Sequence, residues 1–232
     1  MKSFTISSIA KTALFATVAG ALALSLSSPA DASAGGPLYG DPTAAAQYWR
    51  HQNYDDCAIM SSADVVGQIT GKLPSERSII KVAQETPSVV HPGSIYLKPT
   101  NKDDPNSGMG TMPGDLPTLL AHYGIHATNT DADTAGKTGI ATGMESLEQL
   151  LGSGHAVIVG LNAEMIWNQP VEGQARADHA VVVTGVDTAK GIVHLNDSGT
   201  PKGRDEQIPM AVFVKAWATS HNSMTVTQET HK

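Results

Sequence analysis

The stretch DHAVVVTGVDTAKGIVHLNDSG, residues 178–199, constrains the fold of this chain more than any other. Ala180 to Val186 is an apolar, β-branched run, Asp187 to Gly191 supplies turn residues, and Ile192 to Leu195 resumes the apolar pattern. That order predicts two antiparallel strands folded back on each other. HAVIVGLN, beginning at His155, has the length and branching of a central strand. IHATNT, from Ile125, and Met224 to Val226 offer shorter strands.

Helical signals are concentrated upstream. Asp41-Pro42 caps and opens a short helix through Trp49, with Tyr48 and Trp49 as core anchors, after an extended or turn-rich GGPLYGDP. Ile59, Met60, Ala63, Val66 and Ile69 follow a three-four repeat that stops at Gly71. Pro74-Ser75-Glu76 opens another helix with Ile79, Ile80, Val82 and Ala83 inward, closed by Pro87. DLPTLLAHYG and MESLEQLLGSG read as two further helices, separated by a connection, and Met210 to Thr219 as a last one. A chain that is helical first and strand-rich later predicts an α+β domain built on an antiparallel sheet.

Two stretches lack periodicity. Pro87 to Pro113 carries Pro92, Pro99 and Pro105 and reads as a surface loop or a lid; Ala163 to Ala177 is mostly polar and reads as a hairpin excursion or rim loop. Both are expected to border a cleft. NKDDPNSG, in the first of them, has oxygen ligands for a cation but lacks the alternating carboxylates and distal Glu of a calcium loop, so it reads as a solvated turn. His91 has no evident partner. No cofactor and no metal are expected.

The N-terminus bears on the chemistry. Lys2 and Lys11 precede an apolar run from Thr12 to Leu26, which ends in SSPADASAGG. The run is short for a membrane span, and small residues follow it in A-x-A spacing, so residues 1–34 read as a secretory signal peptide cut before Ser33 or Gly35, with an uncleaved anchor as the alternative. Residues 35–232 then form one domain exterior to the cytoplasmic membrane, with no integral membrane segment after cleavage. The chain has a single cysteine, Cys57, so no internal disulfide can form in that oxidising setting. A secreted thiol of this kind is buried, bridged to another molecule, or used. Lys+Arg 15 against Asp+Glu 22 leaves a formal charge of -7, which disfavours nucleic acid and anionic membrane surfaces as partners.

Cys57 stands where the polar HQNYDD runs into its helix, near the positive end of a helix dipole and free backbone N–H groups, a setting that favours thiolate. Cysteine nucleophiles of the papain type occupy such a position, with a His and its Asn or Asp partner arriving from a later sheet. His179 heads the first strand of the late pair, and Asn196 and Asp197 end the second, so the hairpin brings them together. The separation of about 120 residues from Cys57 to His179 also fits. His179 would take the thiol proton and later protonate the leaving amine, Asp197 or Asn196 would fix its tautomer, and Gln52 could donate its amide to the oxyanion beside the Cys57 N–H. His194 reads as a cross-strand surface residue.

Gln52 before a Cys-led helix, the DHAVVVTGVD strand and the strand ending in LNDSG together resemble the double-glycine leader peptidases that process bacteriocins, and more closely their stand-alone secreted relatives in the papain-like clan. The resemblance runs from Gln52 to about Gly199 on three short motifs. It implies a papain-like fold, with N-terminal helices packed on a C-terminal antiparallel sheet, and a cysteine peptidase acting on a peptide or protein substrate. Cys57 would be its nucleophile, His179 the base, Asp197 the orienting acid and Gln52 the oxyanion donor. An inactive or weak secreted binding protein on the same fold is the alternative, and a cell-wall endopeptidase of the NlpC type gains only from YDDC. The chain departs from the family pattern in Cys57-Ala58-Ile59-Met60 for Cys-Gly-Pro-Ala, in Ser198 for Pro, and in a Gln52 one place nearer the cysteine. Asp55 and Asp56 are expected to add negative charge beside the thiol and oppose its ionisation.

Overall fold

The computed structural model describes residues 36–97, 110–171 and 173–231; the proposed leader and the NKDDPNSG turn lie outside the described residues. Seven strands form one antiparallel sheet: β1 (Leu38–Gly40), β2 (Ala127–Thr130), β3 (His155–Leu161), β4 (His179–Asp187), β5 (Ile192–Asn196), β6 (Glu206–Pro209) and β7 (Met224–Thr230). Their order is β2-β7-β3-β4-β5-β6, with β1 on the far half of β4, where β3 no longer reaches. β1 is the GGPLYGDP segment, so this lead-in is a strand and not a turn. Gly40 allows it at φ 85, and a Cβ at Gly185 would sit 3.0 Å from Pro42, so the two backbones approach closely.

Helices cover both faces of the sheet. α2 (Cys57–Thr70), α3 (Glu76–Glu85) and α4 (Leu116–Ala121) form one side, after α1 (Pro42–Ala45) and its 3-10 continuation Ala46–Tyr48. α5 (Ala135–Thr138) is a single turn in the connection after β2, while α6 (Met144–Gly152), α7 (Ala163–Ile166) and α8 (Met210–Ala218) follow. The strand period of two sorts the core. Val157, Val159, Leu161, Val181 and Val183 face Leu147, Phe213 and Trp217 of α6 and α8, while Ala156, Ile158, Ala180 and Val182 face Val65, Val66 and Leu116 of α2 and α4. Burial on both faces explains why β3 and β4 read as continuous apolar runs. The helices expected on one face are therefore joined by a second layer supplied by the later half of the chain.

α2 crosses the centre of the sheet, and ten of its residues, Ala58 to Gly67, are buried. It ends in a left-handed Gly71 at φ 73, as a C-terminal glycine does. Tyr48 packs on Gly67, where a Cβ would come 2.5 Å from its ring, so the small residue lets the α1 segment lie on α2. Thus Cys57, the first residue of α2, is fixed over β3 and β4. Among the described residues no helix is long and apolar enough to cross a membrane.

Candidate active site

Three chain segments converge at one end of the sheet. α2 brings Cys57, β4 brings His179, and the residue after β5 is Asp197. Because β4 and β5 pair antiparallel, the head of one strand lies beside the tail of the other. The ring Nε2 of His179 meets Asp197 Oδ1 at 2.6 Å, and Asp197 is fully buried. As the carboxylate only accepts, Nε2 carries the hydrogen, and the other ring nitrogen is left for the thiol. The partly buried Cys57 thiol lines the same cleft as the ring, and its charge acts on it.

Electrostatics favour a charged ring. Burial alone would pull the His179 pKa down; the hydrogen bond to Asp197, then the bond and charge of Cys57, outweigh it and push the ring up to about 10. Burial pushes Asp197 up, but its bond to and attraction for His179, then the Trp167 and Gly199 N–H groups, leave it below the usual carboxylate range. The line thus pairs a carboxylate with an imidazolium beside the Cys57 sulfur, an arrangement suited to balancing a thiolate and to general acid chemistry.

Two tryptophans hold Asp197 from opposite sides. Trp49 donates its indole N–H to the Asp197 carbonyl at 2.6 Å, and Trp167 donates to Oδ2 at 2.8 Å while its ring leans on His179 at 5.3 Å between centroids. Trp49 is thereby an anchor of the site more than of the core, with the Arg204 guanidinium over its ring. Gly199 leaves room for His179 and Trp167, since a Cβ there would crowd both. Among its described residues the segment 163–177 forms no hairpin: α7 leads into Trp167 beside His179 and Asp197. Trp167→Phe keeps an aromatic ring and removes the N–H to a charged acceptor, so it is expected to cost about 1.5–3 kcal/mol of stability. Equal denaturant midpoints for variant and parent would refute that role.

The remaining sequence candidates are placed as follows. Asn196 points away from His179, donating to Asp64 Oδ2 at 2.8 Å and to the Ala45 carbonyl at 3.0 Å. Gln52 lies outside the residues that line the cleft: its amide donates to the Tyr54 carbonyl at 2.9 Å, and its carbonyl accepts from Ser198 Oγ at 2.7 Å. It is thereby tied to the turn after β5, where Ser198 supplies the hydroxyl. His194 is buried and pairs with Asp205 at 2.7 Å, so it is not a surface residue. His91 has a partner after all, since its Nδ1 meets the Pro92 carbonyl at 3.0 Å and its Nε2 lies 3.9 Å from the buried Asp115.

Asp55 and Asp56 diverge. Asp55 lines the cleft and, though desolvation raises its pKa, the His179 charge opposes the rise. Asp56 is only 1% exposed, does not cap α2, and has no hydrogen-bond partner for either carboxyl oxygen among the described residues. Burial first, then the charges of Glu76 and Asp55, push it up to about 8. Burial thus holds Asp56 towards its neutral form near pH 7, which lessens the negative charge expected beside the thiol.

The thiol and the ring open on a cleft of about 770 Å³ that runs over β3 and β7 to Asp131 and Lys137. Gly110 to Gly114 and Ala177 border it, so the ends of both irregular stretches reach its rim. Among the described residues, no group of three or more His, Cys, Asp or Glu side chains is placed to hold a metal ion.

Residues 42–225 match the family model of the Peptidase_C39 like family. Uncharacterized proteins of Mycobacterium tuberculosis and Mycobacterium bovis are 71% identical over 222 residues, covering 94% of this chain and 95% of theirs. The crystal structure of a candidate C39-like peptidase from Bacillus anthracis shares the fold at a TM-score of 0.58 and 16% identity, over 85% of this chain and 100% of that one.

Proposed function

Because the chain belongs to the Peptidase_C39 like family, we propose that it is an exported papain-like cysteine peptidase, hydrolysing peptide or amide bonds through Cys57, His179 and Asp197. The observation that carries this reading is the alignment of Cys57, His179 and Asp197 at the mouth of the cleft. The thiolate attacks the substrate carbonyl carbon, and His179 passes its proton to the leaving amine as the C–N bond breaks. A water molecule, deprotonated by His179, then attacks the thioester carbonyl and releases the acid and the thiol. The N–H of Cys57 at the uncapped start of α2 faces the developing oxyanion. The Gln52 amide has one N–H in its bond to the Tyr54 carbonyl and would have to turn its second towards the cleft to join it. Export rests on the leader-like residues 1–34.

The engaged Gln52 amide favours one second reading, a secreted binding protein that keeps the fold with weak catalysis. Incubating the purified chain with a peptide library and reading new termini by mass spectrometry separates the two. Cleavage that disappears in Cys57→Ala is expected; no cleavage by the parent chain under reducing conditions would leave the binding protein.

A further inference from the structure

Asp197 has one acceptor site to spare and a second carboxyl beside it. An ionised carboxylate offers about four lone-pair sites. Oδ1 takes the His179 Nε2–H at 2.6 Å and the Gly199 N–H at 2.7 Å, while Oδ2 takes the Trp167 indole N–H at 2.8 Å. One lobe of Oδ2 is left among the described residues.

The β5–β6 pairing points Glu206 towards it. Glu206 opens β6 opposite Leu195, and Asp197 follows Leu195 by two residues, so the side chains leave on one face. Leu195, the preceding position on that face of β5, and Ile208, the next on β6, both enter the core. Gly203 lets the intervening loop fold tightly, since a Cβ there would overlap the Asp197 carbonyl. The Glu206 carboxyl thereby faces Asp197, whose charge acts on it, and its buried Oε2 has no hydrogen-bond partner among the described residues.

Two carboxylates this close do not both ionise in a desolvated setting. Asp197 keeps the charge because His179 and two N–H groups stabilise it. Burial, then the charge of Asp197 and the bond to it, push Glu206 up to about 7, against the opposing pull of His179. The titratable groups facing Glu206 are Asp197 at the end of β5 and His179 on β4. α8, packed on β6, brings apolar Phe213, Ala216 and Trp217, and its Lys215 is exposed.

We propose that Glu206 is a positioning residue for the Cys57–His179–Asp197 line, holding a proton against the free lobe of Asp197 Oδ2 and so keeping that carboxylate turned to His179. The inference rests on the peptidase reading only for its consequence in catalysis. Below neutral pH the Glu206 O–H donates to Asp197. As pH rises through the midpoint, the proton leaves, the hydrogen bond becomes a repulsion, and the Asp197–His179 contact loosens.

The test is nuclear magnetic resonance of the purified chain, which needs no substrate. In the parent, one glutamate carboxyl is expected to titrate near neutrality, and the His179 ring resonances to inflect at the same pH. Glu206→Gln keeps an N–H donor at every pH, so both inflections should vanish while the downfield His179 Nε2–H proton survives to higher pH than in the parent. In Glu206→Ala that proton should broaden at all pH values. A His179 ring that titrates identically in the parent and in Glu206→Gln would overturn the proposal, whether or not the protein cleaves peptides. Coupled inflections in a protein that cleaves nothing would sustain it and sink the peptidase reading instead.

Discussion

His179→Ala is expected to reduce peptide hydrolysis by about a thousandfold or more, the scale on which losing one member of an interdependent nucleophile and base unit acts. Two losses coincide. The thiolate loses the imidazolium that balances its charge, and the leaving amine loses its proton donor. Beyond the loosening that Glu206 brings near neutrality, the parent's activity should be lost as pH rises through the ring's folded pKa of about 10, since the imidazolium then disappears. Stability should follow the same sign. A histidine whose pKa is raised on folding contributes fully below its unfolded value near 6.5, and its contribution disappears as pH climbs through about 10. The alanine variant also leaves Asp197, buried and charged, without its main partner, so a loss of about 3–5 kcal/mol is expected at neutral pH. Cys57→Ala serves as the control, because it removes the nucleophile and leaves Asp197 paired. Hydrolysis is followed by mass spectrometry and folding by circular dichroism. A folded His179→Ala protein that cleaves within tenfold of the parent would remove His179 from the chemistry.

The sequence makes the nucleophile's helix and the base's strand legible because each is a local pattern. The three-four repeat after Cys57 ends at Gly71, and the apolar run after His179 is too long and too branched for anything but a buried strand. Their meeting comes from α2 packing on β3 and β4, while the antiparallel pairing of β4 with β5 puts Asp197 by His179. What escapes local pattern is decided by contacts distant in the chain. β1 and β6 are short edge elements whose partners lie far off or across a loop, so Leu38–Gly40 and Glu206–Pro209 carry no alternation long enough to read. Trp167 sits in a polar stretch, and its role depends on Asp197, 30 residues away. Asn196 and Asp197 are adjacent and alike on paper; strand alternation sends one to Asp64 and the other to His179. Gln52 shows the reverse case, a side chain in a recognisable motif position that is bonded to Tyr54 and Ser198.

Asp56→Asn is expected to make the protein more stable, and increasingly so as pH rises. Its carboxyl is pushed up to about 8 from an ordinary 3.8 by burial and by the charges of Glu76 and Asp55. The unfolded chain therefore releases this proton some four pH units before the folded one. A group raised on folding gives its full contribution below the unfolded value and loses it as pH climbs to the folded value, so the penalty builds between about 4 and 8. At about 1.4 kcal/mol per unit the ceiling is near 6 kcal/mol, and relaxation around the site should bring the measured cost to about 2–4 kcal/mol. Asparagine copies the shape of the neutral acid and cannot ionise. Denaturant midpoints of variant and parent should coincide near pH 4 and separate progressively to pH 9, where the variant should melt about 4–12 °C higher. Asp64, also buried and raised to about 7, adds a similar slope to both proteins and cancels in the difference. Parallel stability curves would mean that Asp56 ionises in place. Both charges of the Asp55-Asp56 pair would then bear on the thiolate at neutral pH, and the peptidase reading would lose the feature that makes its nucleophile tenable.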